Sequence, residues 1–116
     1  DGTVVGNVVN AGATVIVGSN SAHRTLNITG SYEQQVGGRL RVIGKGRGQF
    51  GLLHATTTAD VRGIIELVLE GGFVPVQGAE QEFFLFGNTS LLIAAAIEAP
   101  PGWNVVTTAT TAKFTY

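Results

Sequence analysis

Apolar and polar residues alternate over short stretches of this chain, and Gly breaks the pattern every few positions. Period-two runs rich in Val, Ile, Thr, Phe and Tyr predict strands. They fall at Thr3–Val5, Val8–Val9, Thr14–Val17, Thr25–Ile28, Ser31–Gln34, Arg39–Ile43, Leu52–Thr56, Ile64–Leu69, Glu82–Phe86, Val105–Thr108 and Ala112–Tyr116. The run Leu91–Ile97 contains alanines that permit a helical turn. Polar Asn88-Thr89-Ser90 before it and Pro100-Pro101 after it leave little room, so it reads as a buried strand. No segment carries an apolar helical stripe of ten or more residues, and the expected class is all-β.

The turn glycines reveal an internal repeat. Val9 to Gly18, Gln35 to Gly44 and Asp60 to Leu69 each place a pivot glycine ahead of a strand, and the pivots Gly12, Gly38 and Gly63 are 26 and 25 residues apart. A turn glycine followed by a strand at fixed spacing is the pattern of stacked β-coils, in which each coil covers the apolar face of its neighbour. The expected architecture is therefore a short β-solenoid-like stack closing in antiparallel strands. A β-sandwich or jelly roll, whose Gly-bounded strands also look periodic, is the alternative.

Composition narrows the function more than the fold. At 116 residues the chain is one domain, 1–116. Charged residues make up 13% and the net charge is −1, so no global field draws it to nucleic acid or phospholipid. Cys is absent, which excludes disulfides, thiolate nucleophiles and thiolate metal sites. Leu91–Ile97, the longest apolar run, is far below the roughly 20 residues that span a bilayer, so no membrane insertion is expected. Starting at Asp1 without a basic, apolar leader fits a processed mature chain or an excised piece.

Several stretches resemble bacterial autotransporter-type passenger repeats. Gly6-Asn7-Val8-Val9-Asn10-Ala11-Gly12 is similar to a "GNV-N-G" coil. Leu26-Asn27-Ile28-Thr29-Gly30-Ser31-Tyr32-Glu33-Gln34-Gln35 resembles an "L-I-G-Y-Q" element, and Gly37-Gly38-Arg39-Leu40 its "GG-L" continuation. Gly72-Phe73-Val74-Pro75 with Gly78 and Phe83, then Pro100-Pro101-Gly102-Trp103, resemble the later "GF-P--G--F" and "P-G-W" segments. The resemblance implies a β-solenoid-like surface protein that serves as a stalk, cap or adhesive surface, with no catalytic residues to carry over.

Candidate chemistry is sparse, and neither an enzyme nor a cofactor is expected. His23 and His54 lack HxH or HExxH spacing, so no metal site is predicted. Glu80 and Glu82 share a strand face at roughly 7 Å, a separation compatible with a glycosidase pair but common on any solvated strand. Gly44-Lys45-Gly46-Arg47-Gly48 lacks P-loop spacing and reads as a cationic hairpin loop that could touch an anionic polysaccharide. Asn27-Ile28-Thr29 and Asn88-Thr89-Ser90 are glycosylation acceptors if the source glycosylates such sites, marking Asn27 and Asn88. A carbohydrate-binding module would need Trp103, Tyr32 or Tyr116 as platforms, and Trp103 beside Pro100-Pro101 reads better as a packing plug.

The chain ends bear on assembly. From Gly2 to Gly18 there is no ionisable side chain, and Lys113 is the sole charge from Asn104 to Tyr116. Edge strands without Lys, Pro or a bulge pair readily with other chains. Thr3, Val4, Val5, Val8 and Val9 form the candidate assembly strand. The expected function is an extracellular or cell-surface structural module that assembles with itself, as a fibre or surface layer, through strand pairing or coil stacking. An adhesin segment or a carbohydrate-binding module is the alternative.

Overall fold

Most of the predicted strands form, and their pairing partners lie far apart in sequence. The computed structural model describes residues 2–18, 25–46, 49–70, 76–86, 92–93, 96–108 and 111–116. Within them the strands are β1 (Gly2–Val4), β2 (Val8–Asn10), β3 (Thr14–Val17), β4 (Thr25–Ile28), β5 (Tyr32–Gln34), β6 (Arg39–Gly44) and β7 (Leu52–Ala55). They continue as β8 (Ala59–Val61), β9 (Ile64–Leu69), β10 (Glu80–Phe86), β11 (Leu92–Ile93), β12 (Ala96–Glu98), β13 (Asn104–Thr107) and β14 (Thr111–Thr115). No helix occurs among the described residues.

The fold is all-β without a closed barrel. One mixed sheet has the order β1-β4-β7-β10-β14-β13, and two parallel sheets have the orders β11-β8-β5-β2 and β12-β9-β6-β3. We call these sheets A, B and C. From β1 to β12, every three consecutive strands visit A, B and C in turn, a circuit, and each strand pairs in parallel with the third strand after it. Offsets are 24 residues for Val8 with Tyr32, 27 for Tyr32 with Ala59 and 25 for both Thr14 with Arg39 and Arg39 with Ile64. They widen to 31 for Leu53 with Phe84. The antiparallel pairs are β14 with β10 and with β13.

Side chains therefore stack in columns. Inward columns run Leu26–Leu53–Phe84, Val15–Leu40–Ile65 and Val17–Val42–Leu67, and their middle members are buried. Behind β14, the Phe83 and Phe114 rings stack at 4.2 Å, and Trp103 meets Phe114 edge-on at 6.4 Å and Phe50 at 5.8 Å. Trp103 is a buried plug, as its prolines suggested.

Three details differ from the expectation. The strand β8 was not among the predicted strands, because Asp60 interrupts its apolar pattern; in the sheet Asp60 faces outward beside Glu33. The run Leu91–Ile97 is not one buried strand: it divides into β11 and β12, and all three β12 residues are exposed because β12 is the last strand of its sheet. The pivots Gly38 and Gly63 stand in register, but Gly12 falls opposite Gly37, one residue off.

Gly63 has φ +73°, and a Cβ there would press on the Gly38 carbonyl oxygen and lie 2.9 Å from that of Gln35. Gly63→Ala is expected to cost about 2 kcal/mol or more, since the left-handed conformation alone costs about 1–2 kcal/mol with a side chain. Denaturant unfolding checks this, with Gly46→Ala, which has only ordinary contacts around it, as the control.

Candidate assembly edge

Each strand of the first circuit is the outermost strand of its sheet. β1 ends sheet A, β2 ends sheet B and β3 ends sheet C, so among the described residues the same end of the molecule presents three edges with no strand paired to them. On the paired side the Val8 amide donates to the Ser31 carbonyl at 2.9 Å, and the Asn10 carbonyl accepts from the Gln35 amide at 2.9 Å. The Val4 carbonyl accepts from the Thr29 amide at 2.9 Å, and the Ala13 carbonyl from the Arg39 amide at 3.0 Å. Peptide groups alternate along a strand, and a residue in a parallel ladder turns its N–H and C=O to the same neighbour. The intervening residues Thr3, Val9, Thr14 and Ile16 therefore turn both groups to the open side.

The core also runs out at this end. Val4 lies in register with buried Ile28, Val8 with Tyr32 and Val15 with Leu40, yet Val4 is 37% exposed and Val8 and Val15 are half-buried. On the outer face Val9 is 58% and Ile16 46% exposed. Val5 follows β1 at a corner and is 87% exposed. Of the candidate assembly residues, Thr3 and Val4 lie on β1 and Val8 and Val9 on β2, each the last strand of its sheet, with Val5 beside them. β3, with Val15 and Ile16, is the third edge that sequence reasoning missed. Its signal was the register of the repeat, which makes it the unmatched member of its sheet.

The edge is held in shape by its corners. Asn7 Oδ1 accepts from the Ser31 amide at 2.9 Å, and the Gly6 amide donates to Thr29 Oγ1 at 3.0 Å. At the next corner Asn10 is buried: its Oδ1 accepts from the Ala13 amide at 3.0 Å and its Nδ2 donates to the Arg39 carbonyl at 3.2 Å. Below it Tyr32 OH donates to Gln34 Oε1 at 2.7 Å, and Gln34 Nε2 donates to the Arg62 carbonyl at 2.6 Å. Burial pushes the Tyr32 hydroxyl pKa up against the opposing pull of Asn10. Buried polar groups satisfied in this way fix one geometry, so the three edges are presented as a set.

Charge gathers on the middle circuits. On the outer face of sheet C, Arg39 Nη1 lies 2.9 Å from Glu98 and 3.2 Å from Glu66, and Arg41 Nε lies 2.8 Å from Glu66. The Arg41 hydrogen bond, more than the Arg39 one, holds the Glu66 carboxyl below the usual carboxylate range. A depressed folded pKa stabilises above the unfolded value, and the gain disappears as pH falls through the folded one. Wild-type melts are therefore expected to weaken on acidification below the ordinary carboxylate range more steeply than those of Glu66→Gln. Because the pairs face solvent, the difference at neutral pH stays within about 1 kcal/mol and shrinks in salt.

The remaining candidates are dispersed. Asn27 lies mid-strand on the outer face of sheet A between Thr3 and His54, and Asn88 and His23 lie outside the described residues. Glu82 is exposed, and Glu80 is held 3.2 Å from Lys113 on the neighbouring strand. The bases of the cationic loop meet, Gly44 bridging Phe50, while residues 47–48 lie outside the described residues, as do residues 72–75 of the "GF-P" stretch. Tyr32 and Trp103 are 1% and 7% exposed, which removes two of the three carbohydrate platforms. A groove of about 430 Å³ on the outer side is lined by Glu33, Gln35, Asp60 and Arg62, among others. Among the described residues no three His, Cys, Asp or Glu side chains gather as a metal site. Comparison with family models, curated proteins and solved structures finds no match for the chain.

Proposed function

We propose that the protein is a non-catalytic scaffold module of an extracellular or cell surface, a short β-solenoid stack that associates with copies of itself through open strand edges. The observation that carries this reading is the first circuit: among the described residues three edges without a paired strand and the cut ends of apolar columns lie at one end, with no ionisable side chain from Gly2 to Gly18. The solenoid reading is supported by the parallel pairing of each strand with the third one on, at offsets of 24 to 27 residues over the first three circuits. The likeness to autotransporter-type passenger repeats is in keeping with both.

Sedimentation velocity over a dilution series tests the association, and the weight-average mass is expected to rise with concentration. Protease shaving of intact source cells tests the surface assignment. The carbohydrate-binding alternative keeps the polar groove and Tyr116, and retardation of a strictly monomeric protein on polysaccharide gels would revive it.

A further inference from the structure

We infer that the open end pairs with the same end of a second copy, forming a closed two-fold dimer rather than a fibre. This rests on the edge-association reading above and specifies its partner. The two ends of the molecule do not fit one another. At the far end β13 runs antiparallel to β14, and β14 antiparallel to β10, so β13 points the same way as β1. Direction alone would therefore allow head-to-tail growth in sheet A. Among the described residues, however, sheet A continues two strands past β10, whereas sheets B and C stop at β11 and β12. Two strand spacings amount to roughly 10 Å. A copy whose β1 reached β13 would leave its β2 and β3 short of any partner, and the inner side of that extension is filled by Phe114 and Trp103.

The near end has no such step. Its three strands each close their own sheet, with no further strand beyond them among the described residues, so all three can be met at once. A two-fold axis across the stack reverses strand direction, and the new pairs are antiparallel, which is at least as stable as parallel pairing. An isologous contact brings the same patch of both copies together, so a net charge on the patch meets the same charge on its partner. The first circuit is free of that penalty, because no residue from Gly2 to Gly18 ionises, whereas the far end carries Glu98 on β12 and Lys113 on β14. In such a dimer Val4, Val8 and Val15 continue into the partner's columns, and the free peptide groups of Thr3, Val9, Thr14 and Ile16 gain partners.

The test is light scattering coupled to size exclusion on the full chain, with variants at each end. The wild type is expected at twice the 12.0 kDa chain mass. Ile16→Lys, whose side chain is already partly exposed, should raise the dimer dissociation constant about tenfold or more, because a lysine on an edge strand opposes pairing with another chain. Val9→Pro should do the same while the β circular dichroism is retained, since it removes only an amide that faces the open side, where Pro is tolerated. Val106→Lys on β13 should leave the dimer intact. Open-ended polymers, or a dimer broken by Val106→Lys and not by Ile16→Lys, overturn the two-fold dimer but keep edge association. A monomer at every concentration overturns both.

Discussion

Phe114→Ala is expected to lower the unfolding free energy by about 3–5 kcal/mol, the range for removing a buried aromatic ring. Phe114 is fully buried on β14, stacked on Phe83 at 4.2 Å with Trp103 edge-on at 6.4 Å. Filling the gap would require β14 to move against β10, where Phe83 sits in a β-bulge between the paired residues Glu82 and Phe84 and turns its ring into the core beside Phe114. The tryptophan reports the damage directly: Trp103 emission should shift to the red in the variant before global unfolding. Lys113→Ala, one residue away with its ammonium 3.2 Å from exposed Glu80, should cost less than about 1 kcal/mol. Equal losses in the two variants would mean that the aromatic cluster does not hold the end strands.

Gln34→Leu is expected to cost about 2–4 kcal/mol although it keeps volume and adds apolar surface. Gln34 is completely buried. Leucine leaves the Tyr32 hydroxyl without its acceptor at 2.7 Å and the Arg62 carbonyl without its donor at 2.6 Å, and each unsatisfied buried group costs about 1–3 kcal/mol. Tyr32→Phe removes a donor but still strands one lone pair of Gln34, so it should lose about 1 kcal/mol. A neutral Gln34→Leu in chemical denaturation would show that the buried amide is dispensable and that the corners are held by backbone alone.

The alternation of Val, Ile and Thr with polar residues was enough to place most strands, because a strand exposes its period locally. Thr14–Val17, Thr25–Ile28 and Ile64–Leu69 were legible to the residue. β8 was not, because an Asp at its centre is unfavourable for a strand in isolation and acceptable only where a neighbour leaves it facing water. The one-residue slip at Gly12 has a similar origin: two adjacent glycines, Gly37 and Gly38, offered two alignments, and only the pairing of Thr14 with Arg39 chooses between them. The candidate edge was half legible. The lack of charge singled out Thr3 to Val9, but the open or paired state of a peptide group belongs to its neighbour and is invisible in its own sequence. That is why Ile16 emerges only from the sheet order.

The pairing of each strand with the third one on also sets how the molecule bears load. Gly2 and Tyr116 lie towards opposite ends of sheet A, so tension applied to the chain termini pulls along the stack. The ladder bonds then break in succession, as in a zipper, instead of shearing together. Each yielding circuit of 24 to 27 residues releases roughly 80–95 Å of chain. The aromatic cluster behind β14 anchors the last circuits, so the protein should lengthen stepwise from its uncharged end and resist longest where the rings stack.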